Sequence, residues 1–391
     1  MKRISLFFGI ILMNMSGCGG LKQSTDDLIT IDVTKSYPNK ELILQDFMDV
    51  EYIALETNDE FINQGIVIAV GKQIIVVKNI IRDGDMFVYD RNGKALRKIN
   101  RMGQGGEEYV NINSLTLDED NEEMFVNDAK KILVYDLYGK FKRSFPSSYG
   151  YLYNLDRESF ICHNKSFDVN VNETDKPPFL IISKKDGSIT KEIQPVCQQK
   201  RPSSVSIQRN DMTVVAFTSN FPYNAIIPWH ESWILTVYSN DTIYQYLSDH
   251  SLTPFLARTP SIQSTNPEAF MSIGLLTERY WFLQTEKIEA DIAGNTPATA
   301  SVFFPTTHIL YDRQEKDIYK YTVYNGDFST QKPVKMSRAP SNSTIAFYQK
   351  IETHELVEAY TKGELKGKLK EIAAKLDAED NPVIMLVKHK K

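Results

Sequence analysis

The chain has 391 residues, of which 42% are hydrophobic and 24% charged, an ordinary globular composition long enough for one large or two medium domains. A formal net charge of -5 at pH 7 argues against a nucleic-acid-binding surface. The 20 Tyr and 20 Phe favour strands and tilt the expectation toward an all-β fold.

At the start of the chain, Lys2 and Arg3 precede an apolar run from Ile4 to Met15, the layout of a secretory signal. That run is shorter than the ~20 residues needed to cross a bilayer core. Met15-Ser16-Gly17-Cys18, followed by Gly19-Gly20, looks like a lipobox. Residues 1–17 are therefore expected to be a lipoprotein signal peptide, Cys18 the lipidated residue, and residues 18–27 a lipid-anchored linker. Each buried methylene contributes ~0.8 kcal/mol, so the acyl chains on such a cysteine would hold the protein stably to a membrane. Cleavage would remove two positive charges, Lys2 and Arg3, and shift the net charge from -5 to -7. The expected location is the cell envelope, at the outer membrane, with the periplasmic or surface face left open.

From residue 28 the sequence reads as repeated hairpins. Val88-Tyr89-Asp90-Arg91-Asn92-Gly93-Lys94 recurs 46 positions later as Val134-Tyr135-Asp136-Leu137-Tyr138-Gly139-Lys140, and a weaker copy surrounds Asp186-Gly187. In each, an apolar strand meets a polar corner whose glycine supplies a positive φ, and an alternating strand leaves. Period-two alternation marks four strands in a first unit (65–70, 73–78, 86–89, 95–99) and four in a second (114–118, 123–127, 132–135, 141–145). Four antiparallel strands every ~40 to 50 residues are the mark of a propeller blade.

Further hairpins are expected at 233–246 and 308–323, and insertions around 251–300, where Pro254, Pro260, Pro267 and Pro297 cluster. Residues 28–391 thus predict a six-bladed β-propeller of four-stranded antiparallel blades, the last blade closed by both chain ends. Leu28–Val33 and Val50–Leu55 are the N-terminal candidates for closure, and Pro382–Lys388 is the C-terminal one. One C-terminal helix is expected over about 354–376, where Leu365, Leu369, Ile372 and Leu376 recur at helical spacing.

The run Gly103-Gln104-Gly105-Gly106-Glu107-Glu108-Tyr109 after Ile99-Asn100-Arg101-Met102 resembles the inter-blade motif of the six-bladed, NHL-like β-propeller lipoproteins of Gram-negative gut anaerobes. The usual proline before the second glycine is replaced here. Val50-Glu51-Tyr52-Ile53-Ala54-Leu55-Glu56-Thr57, Asn240-Asp241-Thr242-Ile243-Tyr244 and Asn381-Pro382-Val383-Ile384 agree with the same family over residues 28 to 391. The resemblance implies fold and envelope location and adds little chemistry.

The loop containing Arg101, Gly103, Gln104, Gly105, Gly106, Glu108 and Tyr109 is the sharpest local feature. It reads first as a tight crossing between blades, and secondly as a channel-mouth nest whose amides and Arg101 could meet an anion. Asp118 to Glu122 has the oxygen density of a calcium loop but not its order, and reads as a polar turn. The six histidines show no HxH or HExxH spacing, so no metal ligand, cofactor or catalytic residue is assigned. Cys162 and Cys197 could pair or simply be buried. Phe221, Tyr223, Trp229, Trp233 and Trp281 are read mainly as packing, with a secondary role on a ligand-facing surface.

These features favour a membrane-anchored extracytoplasmic binding or scaffold propeller, with a glycan, peptide or envelope protein as partner. The alternative is a lyase or hydrolase with a metal-dependent site in the central channel, and a third reading is a structural envelope subunit with one large apolar patch.

Overall fold

The computed structural model describes residues 28–390 except 129, 148, 165–166, 168–175, 197–203, 210–211, 218–223, 290, 294–300 and 338–341, with backbone alone at 204–209, 212–217, 291–293 and 301–303. It is a six-bladed β-propeller of antiparallel blades. Blade 1 comprises strands 66–70, 74–78, 85–90 and 95–100; blade 2, 114–118, 123–127, 131–136 and 141–146; blade 3, 149–154, 159–164, 179–183 and 189–193. Blade 4 is built from 226–229, 232–235, 242–246 and 252–259, and blade 5 from 269–276, 280–287, 306–312 and 317–325. Blade 6 combines 345–351, 383–389 and 48–54.

Six hydrophobic clusters hold the ring, one at each junction between neighbouring blades. The cluster between blades 6 and 1 joins Ile53, Ile384 and Leu386 to Ile75, Phe87 and Tyr89. A fully buried Phe or Leu contributes roughly 1.5–3 kcal/mol by leaving water, and no single blade could hide both its faces alone. Each junction is therefore indispensable to the next.

The repeated corners explain how the blades sit so close. Asp90 Oδ1 accepts the amides of Asn92 and Lys94 at 2.8 and 2.9 Å, and Asp136 Oδ1 accepts those of Tyr138 and Lys140 at 2.9 Å each. Gly93 at φ +84° would place a Cβ 2.0 Å from the Ala54 carbonyl oxygen of blade 6, and Gly139 at φ +85° would place one 2.6 Å from Ile99 Cγ2 of blade 1. Glycine is required by the turn and by the outer strand of the preceding blade together.

The N-terminal portion departs from the expected layout. Residues 48–54 pair antiparallel with 383–389, from Met48 against His389 to Ala54 against Val383. Ile29–Asp32, in contrast, does not enter blade 6: it adds in parallel to the outer strand of blade 4, and Asn39–Ile43 adds in parallel to that of blade 5. The stretch 251–300 likewise is not mainly insertion, because 252–259 and 269–276 are full blade strands. Pro254 stands beside a register shift in the ladder, between Ile243 and Tyr244, the kind of irregularity at which strands accept proline.

The expected single helix over 354–376 is two helices, Thr353–Thr361 and Gly367–Ala373. Gly363 at φ +71° ends the first. Leu365 then leaves helical backbone and forms a bridge with Phe328. Leu356, Leu365 and Leu369 all still reach the cluster between blades 5 and 6, which is why the apolar spacing imitated one continuous helix.

Asn381 locks the closing blade. Its Oδ1 accepts the Asn63 amide at 2.8 Å and its Nδ2 donates to the Glu56 carbonyl at 2.8 Å. The segment from blade 6 into blade 1 is thereby tied to the C-terminal strand.

Candidate functional site: the axial cavity

The turns joining first to second strands and third to fourth strands lie on one face, here the upper face; the connections between blades lie on the lower face. Along the axis is a cavity of about 1680 Å³, lined by blades 1, 2, 3, 4 and 6 and reaching the upper-face turns. Its wall carries Ile66, Ile68, Tyr151, Tyr153, Trp233 and Tyr348.

The strand Tyr149–Asn154, reading Tyr-Gly-Tyr-Leu-Tyr-Asn, sets the aromatic side of this wall. Leu152 turns into the cluster between blades 2 and 3, Tyr151 is exposed in the cavity wall, and Tyr153 packs with Trp233 at the margin of the cluster between blades 3 and 4, where both also line the cavity. Tyr151 is 51% exposed, and the Tyr153 ring meets Trp233 edge to face at 6.1 Å. Burial pushes the Tyr153 hydroxyl well above its ordinary pKa, and the phenols of Tyr151 and Tyr348 push it further the same way. Three phenols from blades 3 and 6 therefore share one part of the cavity.

Three backbone carbonyls near the axis accept from side chains of the neighbouring blade. Thr116 Oγ1 donates to the Leu152 carbonyl at 3.0 Å, Asn154 Nδ2 to that of Leu117 at 2.8 Å, and Asn342 Nδ2 to that of Val70 at 3.4 Å.

At the upper rim the charges are engaged with one another. Lys184 and Asp118, with side chains 5% and 6% exposed, form an ion pair at 2.7 Å, and Lys184 also donates to the Asp156 carbonyl at 2.7 Å. The Glu119 carboxylate crosses to blade 1 and accepts the amides of Lys72, Gln73 and Ile74, the latter two at 2.9 and 3.2 Å. Asp120 pairs with Lys72 at 2.7 Å, and Glu51 accepts from Arg91 at 3.3 Å and Lys388 at 3.0 Å. The acidic run from Asp118 thus holds three blades together through a turn.

A family model described as a domain of unknown function, DUF4934, matches residues 28–388. The chain belongs to the DUF4934 family. No curated protein matches it. Among solved structures, this DUF4934 chain is similar to a Bacteroides fragilis protein named "Putative exported protein", with 14% identity and a TM-score of 0.56 over 90% of this chain and 99% of that one. A DUF4221 family member from Bacteroides vulgatus gives 9% identity and a TM-score of 0.44 over 89% and 99%. Virginiamycin B lyase from Staphylococcus aureus gives 13% and 0.33 over 72% and 94%. At these identities the likeness concerns the fold.

The DUF4934 chain places the glycine-rich loop away from the cavity: none of Arg101, Gly103, Gln104, Gly105, Gly106, Glu108 and Tyr109 lines it. The loop lies at the lower face as the crossing from blade 1 to blade 2, and its polar groups serve the fold. Arg101 Nε donates to the Gly139 carbonyl at 2.9 Å, and Tyr109 Oη donates to that of Gly84 at 2.7 Å. The Glu108 carboxylate accepts the Gly105 amide at 2.7 Å, the Gly103 amide donates to the Tyr109 carbonyl at 3.1 Å, and Gln104 is exposed. A nest amide that an external anion would need is already engaged by Glu108.

Cys18, Cys197, Phe221 and Tyr223 lie outside the described residues. Cys162 is fully buried, Trp229 and Trp281 are buried, and Trp233 lines the cavity, alone among the described residues of the aromatics named from sequence. His230 and His250 reach the rim, but among the described residues no group of three or more His, Cys, Asp or Glu is placed to hold a metal ion. Tyr151, Tyr153 and Tyr348 escaped the sequence reading. The alternating tyrosines of Tyr149–Asn154 were the available signal.

Proposed function

We propose that this DUF4934 protein is an exported, lipid-anchored binding propeller that takes a soluble ligand into its axial cavity. The observation that carries the reading is the cavity itself: about 1680 Å³, reaching the upper-face turns, with the exposed Tyr151 and the half-buried Tyr153, Trp233 and Tyr348 in its wall. Ligand sites are concave and mostly apolar, with a few placed polar groups. The signal-like residues 1–17 and Cys18 support delivery to the cell envelope and attachment to a membrane. Among the described residues no helix is long and apolar enough to cross a membrane.

Two measurements test this. Metabolic labelling with a fatty-acid probe should mark the wild-type chain and not Cys18→Ser. A thermal-shift screen against mixed saccharides, peptides and envelope extracts should find a compound that stabilises wild type but not Tyr151→Arg, which replaces an exposed aromatic face of the cavity with a charge. A screen in which no compound distinguishes the two proteins refutes binding in the cavity.

A further inference from the structure

Resting on that reading, we propose that the cavity is built for a neutral oligosaccharide, stacked on Tyr151, Trp233 and Tyr348 and bonded through the tyrosine hydroxyls. Three features of the wall select this class. The first is charge. Six Lys or Arg and six Asp or Glu line the cavity, and most are already paired across blades: Lys184 with Asp118, Lys72 with Asp120, and Arg91 and Lys388 with Glu51. Glu119 is satisfied by backbone amides. A polyanion or polycation would have to break these pairs and leave their partners uncompensated, at a cost that an isolated contact does not offset.

The second feature is the state of the backbone. A bound peptide in extended form gains most from adding to an open strand edge. Here the Val70, Leu117 and Leu152 carbonyls on the axial edges are taken by Asn342, Asn154 and Thr116 of adjacent blades. At these three positions a peptide strand would have to displace an inter-blade hydrogen bond.

The third is the chemistry of those side chains. A sugar ring presents apolar C–H faces and a rim of hydroxyls, so it needs aromatic faces with polar tips beside them. Tyr151 is half exposed in the cavity wall, Trp233 stands against Tyr153, and Tyr348 lines the same cavity. Tyr153 is half-buried in the same wall, so its ring and hydroxyl belong to the surface a sugar would meet. Ser114 on the neighbouring blade 2 adds a neutral hydroxyl to the lining.

The test uses the full-length chain and defined hexasaccharides: maltohexaose, cellohexaose, mannohexaose and chitohexaose, with oligogalacturonate and a heparin hexamer as charged counterparts and a random hexapeptide pool as the peptide arm. Binding is read by calorimetry and by tryptophan fluorescence. The expected result is that at least one neutral hexamer binds and perturbs the fluorescence, and that Tyr151→Ala and Tyr348→Ala each weaken it about tenfold, the loss of one stacking contact. Binding of only the charged oligomers or only peptides, weakened by Tyr151→Ala, overturns the saccharide assignment while leaving the cavity as a ligand site. Binding of a neutral hexamer unaffected by either substitution, with both variants folded by circular dichroism, places the sugar elsewhere and overturns the proposal. If none of these probes binds, the saccharide assignment falls, and the broader screen against Tyr151→Arg decides separately whether the cavity binds anything.

Discussion

Substituting Gly93 tests whether the ring is held by contact between its blade corners and the preceding blade. Two costs combine at Gly93→Ala. A left-handed backbone at φ +84° costs a residue with a β-carbon roughly 1–2 kcal/mol. In addition the new Cβ would lie 2.0 Å from the Ala54 carbonyl oxygen, a backbone atom of the closing strand that cannot swing aside, and overpacking of this kind costs about 1–3 kcal/mol. Gly363→Ala is the internal control, since its φ of +71° is comparable but nothing lies within 4 Å of the added carbon. Urea denaturation followed by tryptophan fluorescence should therefore show Gly93→Ala less stable than Gly363→Ala by about 1–3 kcal/mol. Equal losses in the two variants would show that the corner does not bear on the closing strand, and the account of blade packing would fail.

Three further outcomes follow from the geometry. Lys184→Met leaves the nearly buried Asp118 without its cation and should cost about 3–5 kcal/mol, with part of the loss recovered in the Lys184→Met, Asp118→Leu double variant; a loss below 1 kcal/mol, measured by the same denaturation, would show the pair to be dispensable. The fully buried Asp312 carboxyl would be raised by burial, but hydrogen bonds from Arg279, Lys40 and the amides of Glu315 and Gln314 hold it well below the usual carboxylate range. Because its folded value lies below the unfolded one, its stabilisation is complete above roughly pH 4 and disappears as pH falls through that range, so Asp312→Asn should flatten the acid limb of the stability–pH curve; an unchanged limb refutes this. Burial pushes the Cys162 thiol far above its ordinary pKa, so native protein at pH 8 should resist iodoacetamide at this position and react only on unfolding, as peptide mass mapping would report.

What could be read from the sequence was whatever depends on neighbours in the chain. The Asp90–Gly93 and Asp136–Gly139 corners announce themselves because the aspartate, the glycine and both strands lie within one short stretch of chain, 85–100 and 131–146. The parallel additions of Ile29–Asp32 and Asn39–Ile43 have no turn to mark them, and their partners lie more than two hundred residues away, so the first was misread as a closing strand. The glycine-rich loop attracted attention because glycines are conspicuous, yet its conformation serves a crossing. The aromatic wall was hidden for a different reason. Whether Tyr151 faces an axis or a neighbouring blade depends on which side of an inner strand remains uncovered, and that is fixed only once all six blades are in place.

The closing blade has a consequence for how the protein is made. Strand 383–389 sits between 345–351 and 48–54, so Lys388 meets Glu51 across 337 positions of sequence. On a ribosome the earlier partner emerges long before the later one and must wait with an unsatisfied edge. Contacts of such separation slow folding and expose intermediates to association. A chaperone or an early stop codon would thus act on an open arc with two raw ends, a different object from the finished ring.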